Sequence, residues 1–207
     1  MNDALIQSLG ENDPGRGVTA VDGTAKARIE RAALTLFALH GVDAVTTRSI
    51  ADSAKVSEGL IYRHFKNKDD LSLALFETIH ARLHKLVRDA IEGASGFEDA
   101  VRRVVGAYCK AADEDRVLFE YHLTHMFRFG KTDRPGRPDP TALIAARIEK
   151  AMRDGDCPQG DAEFKAAVAL GVAIQPAAHR MAGRIHDRMT DHAEALARAA
   201  LAALKQG

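Results

Sequence analysis

Thr47, Arg48, Tyr62, Arg63, His64, Lys66 and Lys68 are donors or cations concentrated in one short stretch, where they alternate with the apolar residues Ile50, Ala51, Ala54, Val56, Ile61 and Phe65. Side chains of the first kind suit anions spaced along a line. Hydroxyl, phenol, imidazole and ammonium groups donate single bonds to phosphate oxygens, while a guanidinium meets either a phosphate or the paired acceptors of a guanine edge. Leu60 adds an apolar group that fits a thymine methyl.

Such groups act together only if two short helices hold them at a steep angle around a tight turn. Ile50, Ala51 and Ala54 supply the inner face of a helix over 47–54, Val56 plugs the turn, and Ile61 and Phe65 supply the inner face of a helix over 57–65. Ser57 is placed to cap the second helix, leaving Glu58, Leu60, Tyr62, Arg63 and His64 to face outward. Thr47 and Lys68 stand at helix N-termini, where free N–H groups and the helix dipole favour a phosphate. The candidate DNA surface is therefore Arg28, Thr47, Arg48, Ser57, Glu58, Gly59, Leu60, Tyr62, Arg63, His64, Lys66 and Lys68. The whole chain has 29 Lys plus Arg against 29 Asp plus Glu, so no general attraction to polyanions exists. Residues 26–68 nonetheless carry an excess of four positive charges, the footprint of a small DNA-binding module.

The elements that position this segment are expected to be helical throughout, because apolar residues recur every three or four positions from Thr24 onward with no sustained alternation. A first helix spans 24–40, with Thr24 as N-cap and Gly41 as stop, and a long helix opens at Lys68 behind Asn67 and ends near Gly93. Further helices are expected over 97–112, 115–129, 140–153, 161–186 and 190–204. Residues 130–140, GKTDRPGRPDP, carry three prolines and two glycines and predict a mobile loop. Residues 1–23 are rich in glycine and polar groups and predict a disordered tail. The expected organisation is all-α: a tail (1–23), a helix-turn-helix domain (24–70) and a larger helical effector and dimerisation domain (71–207). No secretory signal and no apolar run of about 20 residues is present, which predicts a soluble cytoplasmic protein without a membrane partner. Cys109 is expected in the core and Cys157 as a loop thiol, without metal or redox spacing.

The segment TTRSIADSAKVSEGLIYRHFKNKDDL, residues 46–71, resembles the signature of the tetracycline-repressor (TetR) family of bacterial regulators, and the likeness extends over roughly 24–75. The resemblance implies a recognition helix over 57–65, phosphate contacts from Thr47, Tyr62, His64 and Lys68, a helical effector domain, and a homodimer made by the last two helices on a palindromic double-stranded operator. The sequence departs from the family pattern at Lys55, where a turn glycine is usual; a non-glycine residue at positive φ costs on the order of 1 kcal/mol.

The second half is expected to hold a small-molecule effector. On the helix over 115–129, Leu118, Tyr121, His122, His125, Met126 and Phe129 fall near one face, with Tyr108 approaching from the preceding helix and Val172, Gln175 and His179 from the penultimate one. His122 and His125 have the i, i+3 spacing of metal ligands, yet no Cys or acidic residue completes a compact set, so no metal and no cofactor is assigned. Pro176 should kink the penultimate helix. A ligand-responsive repressor is the expectation. A regulator without a ligand, a helical enzyme and a helical interaction protein remain alternatives, although no phosphate loop, nucleophile elbow or His-Glu-x-x-His motif occurs.

Overall fold

The computed structural model describes residues 23–129 and 138–206, and within them every regular element is helical. The expected tail, and most of the expected loop after Phe129, lie outside the described residues. The helices are α1 (Ala25–His40), α2 (Thr47–Ala54), α3 (Glu58–His64), α4 (Lys68–Glu92), α5 (Phe97–Glu114), α6 (Arg116–Phe129), α7 (Pro140–Asp154), α8 (Ala162–Met181) and α9 (Ala193–Lys205), with a 3-10 turn at Met189–His192. None is long and apolar enough to cross a membrane among the described residues.

Local chemistry sets most of these boundaries. Thr24 accepts from the Ala27 N–H at 3.2 Å, and Gly41, at φ 77°, stops α1. Thr46 and Ser49 exchange bonds in a capping box at the start of α2. Asn67 accepts from the Asp70 N–H at 2.8 Å, and Asp161 from Glu163 and Phe164. Ser57 occupies the N-cap position of α3 but its hydroxyl makes no capping bond, contrary to expectation. The penultimate helix is also shorter than its apolar pattern suggests. Gly183, at φ 69°, donates to Arg180 O while Arg184 donates to His179 O, a Schellman turn that closes α8 well before His186. Pro176 sits inside α8, which continues to Met181.

The chain packs into two compact units, each made of two separate stretches. The first contains residues 23–79 and 115–129. Ile29, Leu34 and Phe37 of α1 pack in its core with Ile50 and Ile61, with Leu71, Leu75 and Phe76 at the start of α4, and with Tyr121 of α6. Arg31 reaches Asp115 at 2.8 Å, and the other oxygen of that nearly buried carboxylate accepts from the Leu118 N–H, capping α6. The second unit contains residues 80–114 and 138–206. Phe97, Ile148, Met152, Cys157, Ala166 and Leu204 form its main apolar cluster. Cys157 is a loop residue as expected, yet it is buried and its thiol donates to Leu204 O at 3.3 Å.

Candidate nucleic-acid interface and effector cavity

The helix-turn-helix is a turn held by backbone bonds and sealed by side chains. Lys55 takes the left-handed conformation (φ 54°, ψ 51°), donating to Asp52 O at 3.3 Å, while Val56 donates to Ala51 O at 3.0 Å. This is again a Schellman turn, here with lysine where glycine is the easy residue. Ile50, Ala51, Ala54, Ile61 and Phe65 are buried beneath it, so the alternation seen in the sequence becomes an inside and an outside.

On the outside, Ser57, Glu58, Gly59, Tyr62, Arg63, His64 and Lys66 are exposed, as are Arg28 and Arg48, while Thr47, Leu60 and Lys68 are half-buried. Tyr62 is 53% exposed, a large fraction for an aromatic ring. The Thr47 hydroxyl donates to the Glu58 carboxylate and lies 3.3 Å from the Tyr62 hydroxyl, linking the N-terminus of α2 to the outer face of α3. Two cations have structural bonds as well. Lys68 Nζ donates to Asp43 O at 3.1 Å and Val45 O at 2.9 Å, tying the α1–α2 connection to the start of α4. Arg28 donates to Ala54 O and Gly23 O. No added Cβ at Gly59 would meet another atom within 4 Å, so packing inside the fold does not require a glycine there.

The residues expected to form an effector site fall into different units. Leu118, Tyr121, His122 and His125 are buried in the first unit, with Met126 and Phe129 half-buried beside them. The Tyr121 hydroxyl donates to Ser72 O at 2.8 Å and accepts from the Ser72 hydroxyl at 2.7 Å; burial pushes its pKa up to about 12. His125 stacks on Tyr121, its Nδ1 lies 2.9 Å from Tyr121 O, and burial holds its pKa below the ordinary histidine value. His122 stacks on Phe76, whose ring also meets Phe129.

Tyr108 belongs instead to a cavity of about 540 Å³, open mouth included, within the second unit. Its walls come from Ile91 near the end of α4, from α5, from Ile144, Arg147 and Ile148 of α7, from Ala169, Leu170 and Ala173 of α8, and from Ala200 and Leu204 of α9. Burial pushes the Tyr108 pKa up to about 12. Val172, Gln175 and His179 are not among the lining residues, because the neighbouring positions Ala169, Leu170 and Ala173 turn that side of α8 to the cavity. The cavity walls Val101, Val104, Val105 and Ile148 escaped the sequence reading. Their helical spacing reads equally as ordinary core, and only the pairing of helices shows that a void lies between them.

Both of the last two helices expose apolar side chains beside charged ones. Phe164 is 69% and Val168 38% accessible on α8, and Ala195, Ala199 and Ala202 are exposed along α9.

Residues 29–75 match the profile of the bacterial regulatory proteins of the tetR family. The HTH-type transcriptional regulator HbdR of Aromatoleum sp. (strain CIB) is 32% identical over 128 residues, covering 61% of this chain and 55% of HbdR. The HTH-type transcriptional repressor KstR of Mycolicibacterium smegmatis is 30% identical over 134 residues, covering 62% of this chain and 63% of KstR. The matched stretch thus spans somewhat over half the length of these two relatives. A crystal structure of a tetR-family regulatory protein from Rhodococcus RHA1 superposes with a TM-score of 0.71 at 25% identity, covering 87% of this chain and 97% of that one.

Proposed function

Because the chain belongs to the TetR family of bacterial regulatory proteins, we propose that it is a DNA-binding transcriptional repressor, released from a palindromic operator by a largely apolar small molecule. The single observation that carries the DNA reading is the sorting of α3, whose Ile61 is buried while Gly59, Tyr62, Arg63 and His64 face solvent beside Thr47. A helix that presents donors and a cation on one side, and is anchored by its apolar side, is what entry into a major groove requires. Arg63 is assigned to a base edge or phosphate, and Thr47, Tyr62, His64 and Lys66 to phosphates. KstR is named a repressor, which favours that sign of regulation here. The relatives are transcriptional regulators, so the helical-enzyme alternative is set aside.

The effector reading rests on the cavity of the second unit, whose almost wholly apolar walls with one hydroxyl and one guanidinium among them have the composition of small-molecule sites. The exposed apolar side chains of α8 and α9 support a homodimer, since apolar surface on two adjacent helices is stabilised by a second copy. α4 contributes Lys68 to the helix-turn-helix unit and Ile91 to the cavity. It is therefore the element through which a bound effector would change the spacing of two recognition helices, which must match half-sites about 34–36 Å apart or a multiple.

The test is fluorescence anisotropy with DNA flanking the protein's own gene and with sites chosen from a random pool. Arg63→Ala and Tyr62→Phe should weaken binding, the first by about 1–3 kcal/mol at a base-edge contact. Absence of binding to both DNA sets would instead favour a helical interaction protein.

A further inference from the structure

We infer that the effector is an amphipathic anion, an apolar body ending in one carboxylate, and that Arg147 is the residue that receives the carboxylate. This rests on the effector reading of the cavity given above. Of the residues that line that cavity, Arg147 is the single charged one and Tyr108 the single hydroxyl; the rest are hydrocarbon.

Arg147 is held but not satisfied. Its guanidinium lies over the Phe97 ring, 5.2 Å from the centroid, which supports the flat face and leaves its edge free to meet an acceptor. Nη1 is shut off from solvent and has no hydrogen-bond partner. The nearby acidic residues of α7 are bonded to other cations, Asp154 to Lys150 and Glu149 to Arg153; the Asp154 carboxylate feels the Arg147 charge as well but makes no bond to Nη1. A buried donor on a charged group bears its full desolvation cost until something accepts from it, and native structures rarely leave one without a reason. Beside an apolar void, the group that removes the cost is an acceptor carried in by the ligand.

The chemistry of the ligand follows. A guanidinium presents parallel N–H groups in a fixed fork that matches the two oxygens of a carboxylate, and the pair is strengthened by exclusion of water. A neutral apolar effector would fill the cavity and leave Nη1 orphaned, and a cationic one would be repelled. A single guanidinium and a hydroxyl that stays protonated offer too few donors for a doubly charged phosphate group. The fitting ligand has one negative charge and a body of alkyl or aromatic carbon.

The test uses the full-length protein and three probes of equal chain length, each below its micelle concentration: dodecanoate, dodecanol and dodecanoyl-coenzyme A, measured by isothermal titration calorimetry. Wild type should bind dodecanoate at least about tenfold more tightly than dodecanol, the margin of one charge-assisted contact. In Arg147→Met, which keeps a long apolar stem against Phe97, the two should bind within about threefold of each other, with dodecanol affinity preserved. Arg147→Lys, which keeps the charge and loses the fork, should fall between, and it carries the comparison if the Met variant does not fold. Equal binding of acid and alcohol by wild type overturns the acidic head group while leaving the apolar cavity as the effector site. Tighter binding of the thioester than of the free acid, or a preference for the acid that survives in Arg147→Met, places the anion elsewhere and overturns the role of Arg147. Binding of no probe, repeated with eight- and sixteen-carbon chains, removes both the acidic head group and the effector reading.

Discussion

Lys55→Gly should make the protein more stable while weakening its hold on DNA, and Lys55→Ala separates the two effects. Lys55 sits at φ 54° and ψ 51°, the one described non-glycine residue at positive φ. That conformation costs a residue with a Cβ about 1–2 kcal/mol, and glycine returns about 0.5–1 kcal/mol of this through its greater freedom in the unfolded chain. The bonds that close the turn, from Lys55 N–H to Asp52 O and from Val56 N–H to Ala51 O, belong to the backbone and survive either substitution. The expected gain for glycine is therefore about 0.5–1 kcal/mol, while alanine, which keeps the strain, should lie near wild type. In urea denaturation followed by circular dichroism, the midpoint should rise by a few tenths of a molar or more for Lys55→Gly alone. Anisotropy titrations over a range of salt read the other effect. The exposed ammonium lies at the turn that delivers α3, and losing one phosphate contact should reduce the slope of log K against log salt by about 0.9 in both variants. A glycine variant no more stable than the alanine variant would refute the strain argument, and an unchanged slope would refute the contact.

Lys68→Ala should cost about 1 kcal/mol of stability through loss of its bonds to Asp43 O and Val45 O, measurable in the same denaturation, so its effect on DNA must be judged at a temperature where the variant is folded. Gly59→Ala should leave stability equal or higher, since nothing lies within 4 Å of the new methyl, yet lower operator affinity in a titration if the backbone there approaches DNA closely. Tyr121→Phe should cost about 1–2 kcal/mol, and the double variant with Ser72→Ala should cost less than the sum of the two single changes, because both remove the hydroxyl–hydroxyl bond, whereas the bond from Tyr121 to Ser72 O is lost in Tyr121→Phe alone. The depressed His125 pKa sets a pH dependence: the unfolded chain binds its proton from the ordinary value of 6.5 downward while the folded chain resists. Stability is then full above about pH 6.5 and falls as pH drops toward the folded pKa, and His125→Gln should flatten that fall in midpoints measured at pH 5 and 7.

What the sequence disclosed was whatever depends on near neighbours in the chain. Thr24 and Asn67 announce helix starts because an N-cap acts within three residues. The sorting of buried from exposed residues between Ile50 and Phe65 was legible for the same reason, since it is a local pattern. Gly183 marked the end of α8 just as plainly, but the apolar spacing that continues to Ile185 outweighed it in the reading. The cavity was not legible, because Val104 and Ile148 are apolar whether they face a neighbour or a void. Tyr121, His122 and His125 have the composition of a binding site, yet the bonds of Tyr121 to Ser72 and the stacking of His122 on Phe76 show polar atoms and rings spent inside the first unit. Arg147 escaped notice because a charged residue on a helix is ordinarily solvated, and only the burial of Nη1 distinguishes it.

The interleaving of the two units governs how this chain can come into being and how it can be taken apart. The first unit is incomplete until Asp115 and Tyr121 have been made, since Arg31, Ser72 and Phe37 wait for them. The second waits for the final residues, because the buried ammonium of Lys165 donates to Leu204 O and Gln206 O. With synthesis at about 5–20 residues per second, the nascent polypeptide spends several seconds with its helix-turn-helix already emerged and its supporting helix still unmade. The helix-turn-helix is thus neither a module that ripens first on the ribosome nor one that a protease or a cloning experiment could free by a single cut.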